Sequence, residues 1–177
     1  MGNLTITSGD IIALTADAIV CPSHKHLIRG RGLSAQIYDK AGDLLVAECK
    51  TLEECGIGKS KITKAYNLLT KYIIHTVTPQ WSSGDTYSAD ELQLLRSCYQ
   101  TTLQLAIDCD IQTLLIPALG AGTNRFPQYT AAHLGLEVIK NYIEQFEKIT
   151  ICLHSTNAKN IWLETQQQFS ALKAMGN

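Results

Sequence analysis

Short apolar runs bounded by turn residues mark the strands predicted in the first half of the chain. Residues 4–7 alternate apolar and polar side chains, and residues 17–21 are rich in β-branched ones, which is typical of strands. Residues 61–66 and 72–77 have the same character and predict a second pair, closed by Pro79. Four strands are therefore expected in this half.

Helical spacing of apolar residues dominates two other stretches. Between the two strand pairs, residues 33–47 carry apolar side chains three and four positions apart, and Gly42 divides them into two short helices. A long amphipathic helix is predicted over residues 92–106, and Ser88 and Glu91 form a capping box before it.

Strands and helices alternate in the last third of the chain. Residues 113–117 form a continuous apolar run of the kind that is buried on both faces of a parallel sheet. Helices are predicted over residues 131–142 and 161–172, with a last strand at 149–153. This alternation predicts a mostly parallel α/β sheet with helices on both faces, in a single domain covering residues 1–177.

Charge and composition narrow the function classes. The 15 basic and 16 acidic side chains give a net charge of −1 without a long basic run, which argues against general nucleic-acid binding. No apolar stretch approaches about 18 residues and no secretory signal is evident, so a cytoplasmic protein without membrane contact is expected. The six cysteines contain no CxxC pair and are expected to be free thiols.

Metal binding is the less favoured interpretation of one short segment. Cys21, His24 and His26 lie close in sequence, but no fourth ligand follows at a zinc-like spacing. We therefore expect neither a metal nor a cofactor. His75 lies inside a predicted strand and is interpreted as a buried histidine with satisfied hydrogen bonds.

Two glycine-bearing loops are the strongest candidates for a ligand site. Residues 29–32 follow the second strand, and residues 120–125 follow the buried apolar run. Open α/β sheets bind ligands at the carboxyl ends of their strands, and exposed N–H groups in such loops favour anions. Two loops facing one cleft would suit a diphosphate, whereas glycines that only make tight turns are the alternative. The spacing fits neither the Walker A motif nor the dinucleotide fingerprint.

Taken together, the motifs resemble the macro domain, an ADP-ribose-binding module. They cover roughly residues 4–155 in the family's order: Gly9-Asp10-Ile11, Asp17-Ala18-Ile19-Val20, Gly30-Arg31-Gly32-Leu33, Ala41-Gly42, residues 71–77 and Pro117-Ala118-Leu119-Gly120-Ala121-Gly122. The resemblance implies a three-layer α/β/α sandwich around a mixed six- to seven-stranded sheet. It also implies binding of ADP-ribose, or of an ADP-ribosylated macromolecule, across the strand ends. A monomer is expected.

The resemblance further implies roles for single residues. Asp10 would accept a hydrogen bond from the adenine amino group, with Ile11 beside the ring, although a turn residue is the alternative for Asp10. His154 stands where the family commonly has an aromatic ring near adenine, and a plain strand-end histidine is its alternative. The remaining candidate ligand-binding residues are Cys21, Gly30, Arg31, Gly32, Leu33 and Ser34 around the first loop, and Leu119, Gly120, Ala121, Gly122, Thr123, Asn124, Arg125 and Phe126 in the second.

Arginines beside the loops would add positive charge to the site. Arg29, Arg31 and Arg125 can bind phosphate bidentately if they face the cleft, and otherwise lie in solvent.

The chain departs from the family where the second strand ends. The branch that hydrolyses ADP-ribose from proteins has Asn-Ala-Ala-Asn there, and an Asp ten residues after the last Asn. This chain has Cys21-Pro22-Ser23-His24, and Ser34 at the later position. Serine cannot act as a carboxylate base at neutral pH, whereas His24 is a candidate catalytic base.

Three functions therefore remain in view. The first is binding of ADP-ribose without the standard Asn/Asp-dependent hydrolysis. The second is a divergent hydrolase of ADP-ribosyl groups or O-acetyl-ADP-ribose, in which the substrate or His24 assists the attacking water. The third is a degenerate fold used for protein contacts.

Overall fold

A mixed six-stranded sheet forms the middle layer of the protein. The computed structural model describes residues 2–82 and 89–176. The strands of this part are β1 (Asn3–Ser8), β2 (Ala18–Pro22), β3 (Ser60–Lys64), β4 (Tyr72–Thr76), β5 (Thr113–Ile116) and β6 (Lys148–Leu153). Their order is β1-β6-β5-β2-β4-β3, and every neighbouring pair is parallel except β3 and β4.

Helices cover both faces of the sheet, which gives the expected three-layer α/β/α sandwich. They are α1 (Leu33–Ala41), α2 (Asp43–Thr51), α3 (Ala89–Asp108), α4 (Gln128–Ile139) and α5 (Thr156–Met175). Helices α3, α4 and α5 pack on one face, and α1 and α2 pack on the other. No helix in the described part of the chain has the length and apolar character needed to span a bilayer.

The centre of the sheet is buried on both faces. One core lies under α3, α4 and α5 and includes the fully buried rings of Tyr99 and Trp162. The other lies under α1 and α2 and includes Ile37, Leu45 and Ile73. Apolar side chains are favourable on either face of such a strand, which explains the continuous apolar runs read from the sequence.

The ends of the helices and strands are determined more by local backbone geometry than by the pattern of apolar residues. Gly42, with φ of +93°, separates α1 from α2 and donates its N–H to the Tyr38 carbonyl, as expected for a helix-ending glycine. Strand β3 ends two residues before its predicted end, where Tyr66 adopts φ of +52°. The predicted capping box depends on Ser88, which lies outside the described residues.

All six cysteines are free thiols, as the sequence predicts. Five are buried, and Cys109 is exposed.

Candidate functional site

The carboxyl ends of β1, β2, β4, β5 and β6 share one edge of the sheet, because these five strands are parallel. The loops that leave this edge contain nearly all the candidate residues. The N–H of Gly9, after β1, donates to the carbonyl of Leu153 at the end of β6 (2.9 Å). This bond places the turn at Asp10 beside His154, which is exposed.

Asp10 is both a turn residue and an exposed acceptor. One of its carboxylate oxygens accepts the N–H of Ile12 (3.2 Å) and caps a one-turn 3₁₀ helix, Ile11–Ala13. Its other oxygen has no partner among residues 2–82 and 89–176. Ile11 is buried next to it. The turn therefore presents an unused carboxylate oxygen next to a buried isoleucine.

The first glycine loop, residues 24–32, lies on buried supports. The Tyr38 hydroxyl donates to the carbonyl of Leu27 (2.8 Å), a buried residue with φ of +53°. The N–H of Gly30 donates to the Ser34 hydroxyl (3.1 Å). A Cβ on Gly30 would lie only 3.2 Å from that hydroxyl oxygen, so a glycine suits this position. The loop ends at Gly32, where α1 begins.

Two of the predicted ligand-binding residues lie beneath this loop. Ser34 is buried, and its hydroxyl supports Gly30. Cys21 is fully buried, and burial raises the pKa of its thiol to about 11. Cys21 is therefore neutral near pH 7. Their positions are those of supports, whereas Arg31 and Gly32 are exposed.

The second glycine loop, residues 117–127, is closed by its own backbone. Phe126 donates its N–H to the Gly120 carbonyl (2.9 Å), and Arg125 donates to the Gly122 carbonyl (3.1 Å). Gly120 has φ of +82°, and a Cβ there would lie 2.9 Å from Cδ2 of the Phe126 ring. The close approach of loop and ring thus requires glycine. A Cβ on Gly122 would meet nothing within 4 Å.

Contacts from distant segments hold the second loop in place. The Asn124 side-chain amide donates to the Thr78 carbonyl (3.0 Å), and the Asn124 carbonyl accepts the N–H of Trp81 (2.8 Å). The Trp81 ring packs on buried Phe126 with centroids 5.0 Å apart. Buried Leu119 donates its N–H to the Tyr99 hydroxyl (3.2 Å). Nothing local in the sequence marks Thr78 or Tyr99 as a support, since these bonds join segments far apart in the chain.

The two loops meet across the strand ends. A Cβ on Gly32 would lie 3.9 Å from Cγ2 of Thr123, which puts the start of α1 against the second loop. Gly122, Thr123 and Arg125 in that loop are exposed, whereas Ala121 packs against the core. The two loops are therefore neighbours at the strand ends.

The three arginines have different surroundings. Arg29 forms a bidentate pair with Asp39 on α1, with Nε–Oδ1 at 2.8 Å and Nη2–Oδ2 at 3.0 Å. Its guanidinium is therefore engaged by a carboxylate rather than free for a ligand. Arg31 and Arg125 are exposed, and neither side chain has a partner within the described ranges.

His24 is exposed at the start of the first loop, and one of its ring nitrogens is occupied. Its Nδ1 accepts the backbone N–H of His26 (3.1 Å), so a neutral ring carries its proton on Nε2. The Nδ1 of His26 lies 3.2 Å from Oε1 of Glu54. Neutral His24 thus offers a hydrogen-bond donor to its surroundings, and its one acceptor nitrogen is already in use. Among residues 2–82 and 89–176, no group of three or more His, Cys, Asp or Glu is placed to hold a metal ion.

His75 is fully buried in β4 with both ring nitrogens partnered, as expected for a histidine inside a strand. Nδ1 lies 3.1 Å from the Ser23 hydroxyl, and Nε2 lies 2.9 Å from the Thr63 hydroxyl. Burial lowers the pKa of His75 to about 4, so the ring is neutral at pH 7.

A hollow of about 440 Å³ lies at the opposite edge of the sheet, where the strands begin. Asp17 lines it, but its carboxylate accepts the backbone N–H groups of Gln112 and Thr113, both at 3.0 Å. Lys71 lies 3.7 Å from the same carboxylate. These contacts hold the starts of the strands together.

Comparisons with known proteins agree with this geometry. The family model for the Macro domain matches residues 20–135. A macro domain-containing protein of Methanosarcina mazei is 38% identical over 162 residues, which cover 89% of this chain and 85% of that protein. The ADP-ribose glycohydrolase MACROD1 of Bos taurus is 35% identical over 165 residues, or 91% of this chain but only 50% of the bovine protein.

Solved structures give the same result. A glycine-to-valine variant of the Oceanobacillus iheyensis macrodomain with ADPR superposes with a TM-score of 0.88 at 26% identity, covering 96% of this chain and 95% of that one. The same macrodomain with ADP gives a TM-score of 0.88 over 96% of this chain and 93% of that one.

Proposed function

This chain belongs to the macro domain family, and from that premise we propose that it binds ADP-ribose, free or attached to a macromolecule, across the carboxyl ends of its parallel strands. One observation carries the proposal. The two glycine loops lie against each other at the strand ends, where a Cβ on Gly32 would come within 3.9 Å of Thr123 Cγ2. A diphosphate would bind at such a place because loop N–H groups can approach it closely.

Adenine selectivity is assigned to the Asp10 turn. The carboxylate oxygen that Ile12 does not engage would accept the adenine amino group, and Ile11 would contact the ring. Guanine presents a carbonyl oxygen at that position, which a carboxylate repels. Because His154 lies beside this turn, its imidazole is assigned to the same end of the ligand.

Calorimetric titration with ADP-ribose, ADP and a GDP-linked sugar tests this assignment. We expect ADP-ribose and ADP to bind and the GDP-linked sugar not to bind. Equal affinity for the guanine and adenine ligands would remove Asp10 from the recognition of the base. Absence of ADP-ribose binding would refute the proposed function and favour a fold used for protein contacts.

We further propose that binding occurs without the standard hydrolysis. The family's hydrolytic branch has an Asn and an Asp at the positions of His24 and Ser34. Here the Ser34 hydroxyl is buried and supports Gly30, and the Nδ1 of His24 already accepts the N–H of His26. Neither group can activate water as a carboxylate does.

A divergent hydrolase is the second candidate, favoured by the 35% identity to a protein named an ADP-ribose glycohydrolase. It predicts release of ADP-ribose from a mono-ADP-ribosylated protein, at a rate that falls in His24→Ala while binding persists. Equal release by wild type and His24→Ala would exclude His24 as the base.

The reverse change tests why hydrolysis is lost. If the two replaced groups account for it, the double variant His24→Asn, Ser34→Asp gains release relative to wild type, and the single variant His24→Asn does not. A double variant that folds, binds ADP-ribose and still releases nothing would show that other residues block the reaction.

A further inference from the structure

A continuous set of hydrogen bonds runs under the first glycine loop from the edge of the sheet. It begins at Thr63 on the edge strand β3, passes through His75 on β4 and reaches Ser23, which follows β2. Thr63 is 2% exposed, and His75 is not exposed at all. Three neighbouring strands are thus joined by side chains at the point where the loop begins.

The hydrogens of this network have one arrangement that uses every observed contact. Ser23 Oγ lies 3.1 Å from the carbonyl oxygen of Cys21, to which it can donate only if it accepts from His75. Nδ1–H of His75 then donates to Ser23, and the Thr63 hydroxyl donates to Nε2. In this arrangement each hydrogen is used once, and both ring nitrogens are satisfied.

The start of the loop is connected to this network, and a separate hydrogen bond holds its end. At the start, the N–H of Ser23 also donates to the Thr76 carbonyl (2.8 Å). At the end, the Ser34 hydroxyl holds the N–H of Gly30. The buried thiol of Cys21 donates to the Pro22 carbonyl (3.7 Å).

Burying a histidine at this place costs more free energy than burying an apolar side chain. Neighbouring positions of β4 carry Ile73 and Ile74, and an apolar side chain could fill the core without the desolvation penalty of an imidazole. What the imidazole provides is a directional link between β3 and the residue that precedes His24.

We infer that His75, with Thr63 and Ser23, is a positioning residue for ligand binding: it holds the first glycine loop in the conformation that faces the second. The inference rests on the proposed function, because the ligand of the cleft is taken to be ADP-ribose. His75 itself is buried and acts on the ligand only through the loop.

The test compares variants that remove either end of the link. Thr63→Val and Ser23→Ala each delete one hydroxyl, and Thr63→Ser restores the first. Thr102→Val is the matched control. Thr102 is as buried as Thr63 but lies on α3, which packs on the other face of the sheet. Its hydroxyl lies 3.2 Å from that of Ser60 on β3. ADP-ribose affinity is measured by calorimetry, and hydrogen exchange is measured for the amides of residues 24–32.

We expect Thr63→Val and Ser23→Ala to weaken ADP-ribose binding by about threefold to tenfold, the effect of one lost hydrogen bond. Exchange in the loop should become faster in both, and Thr63→Ser should restore both readouts. Wild-type affinity and exchange in Ser23→Ala, or an equal loss of affinity in Thr102→Val, would overturn the inference. If Thr63→Val fails to fold, Ser23→Ala decides the result.

The two proposals can fail separately. If the wild-type protein does not bind ADP-ribose, the proposed function is wrong, and the exchange of the loop amides still tests whether His75 positions the loop. If it binds and the loop is unchanged in Ser23→Ala, only the positioning inference is wrong.

Discussion

The Asp10 carboxylate has a structural task in the turn and, in the proposed function, a second task in recognising adenine. One oxygen caps the turn through the N–H of Ile12, and the other is unused by the described parts of the protein. The sequence presents these tasks as alternatives, whereas the geometry allows both at once.

The two roles of Asp10 predict that substitutions there lower both ADP-ribose affinity and the free energy of unfolding. Asp10→Asn keeps an oxygen for the cap but can turn its amide NH2 group towards the adenine amino group. Asp10→Ala removes both acceptor oxygens. We expect each to lower ADP-ribose binding by about 1–3 kcal/mol, the cost of an unmet polar group. The free energy of unfolding should fall in Asp10→Ala more than in Asp10→Asn. A dissociation constant unchanged in both variants, measured by calorimetry, would exclude Asp10 from the site.

The six thiols should differ in reactivity, because five of them are buried. Cys109 is exposed, whereas burial raises the pKa of Cys21 and of Cys98 to about 11 and keeps both protonated near neutral pH. In the native protein we expect one thiol of six to react promptly with a chromogenic disulfide, and all six to react after unfolding. Cys109→Ser should abolish the prompt reaction. A second prompt thiol would show that a buried core segment opens readily.

The place of a residue in the site was predictable where it depends only on residue type and on neighbouring positions in the chain. The Gly9-Asp10 turn and the two glycine loops follow from residue type and position after a strand. The burial of Ser34 and the bond between Asn124 and Thr78 do not, because each depends on segments that only the fold brings together.

The second glycine loop depends on glycine at one position more than at another. At Gly120 both the φ of +82° and the nearness of the Phe126 ring exclude a side chain, while Gly122 borders open space. The loop's shape is therefore set by its closure on Phe126 rather than by its glycine content.

Alanine substitutions should separate the two positions. We expect Gly120→Ala to lower the free energy of unfolding by about 1–3 kcal/mol through overpacking and backbone strain. Gly122→Ala should change it by less than about 0.5 kcal/mol, as for an exposed site. Urea denaturation measures both. Equal stability of the two variants would contradict the loop geometry.

Helices and strands with a regular pattern of apolar residues were predicted well, whereas the residues at which they end were predicted less well. The apolar run at β5 and the spacing along α3 identify those elements from sequence, because burial on a fixed face imposes the pattern. Tyr66, which ends β3 early with a positive φ, gives no such signal. The order of the strands was not predicted, since periodicity does not determine which strands pair.

At the scale of the whole molecule, His75 couples folding stability to pH. Its pKa is about 4 in the folded protein, below the ordinary value of 6.5. As pH falls below 6.5, the unfolded chain takes up a proton at this residue that the folded protein does not bind until about pH 4. Stability from this residue is therefore complete near neutral pH and decreases towards pH 4.

Between pH 7 and pH 5 we expect this residue to lower the free energy of unfolding by about 2 kcal/mol. His75→Gln should remove that part of the pH dependence, whereas a substitution at exposed His133 should leave it in place. The measurement is urea unfolding of the three proteins at both pH values. The same pH dependence in wild type and His75→Gln would contradict the assignment of a buried, neutral imidazole.

The most direct test of the account is calorimetric titration with ADP-ribose, followed in the same preparation by an assay for release from a mono-ADP-ribosylated protein. A cleft that binds without the standard hydrolysis predicts saturable binding and no release above the uncatalysed rate. Release that depends on the protein would contradict the binding-only account and return catalysis to residues such as His24. Absence of binding would refute the proposed function and favour a fold used for protein contacts.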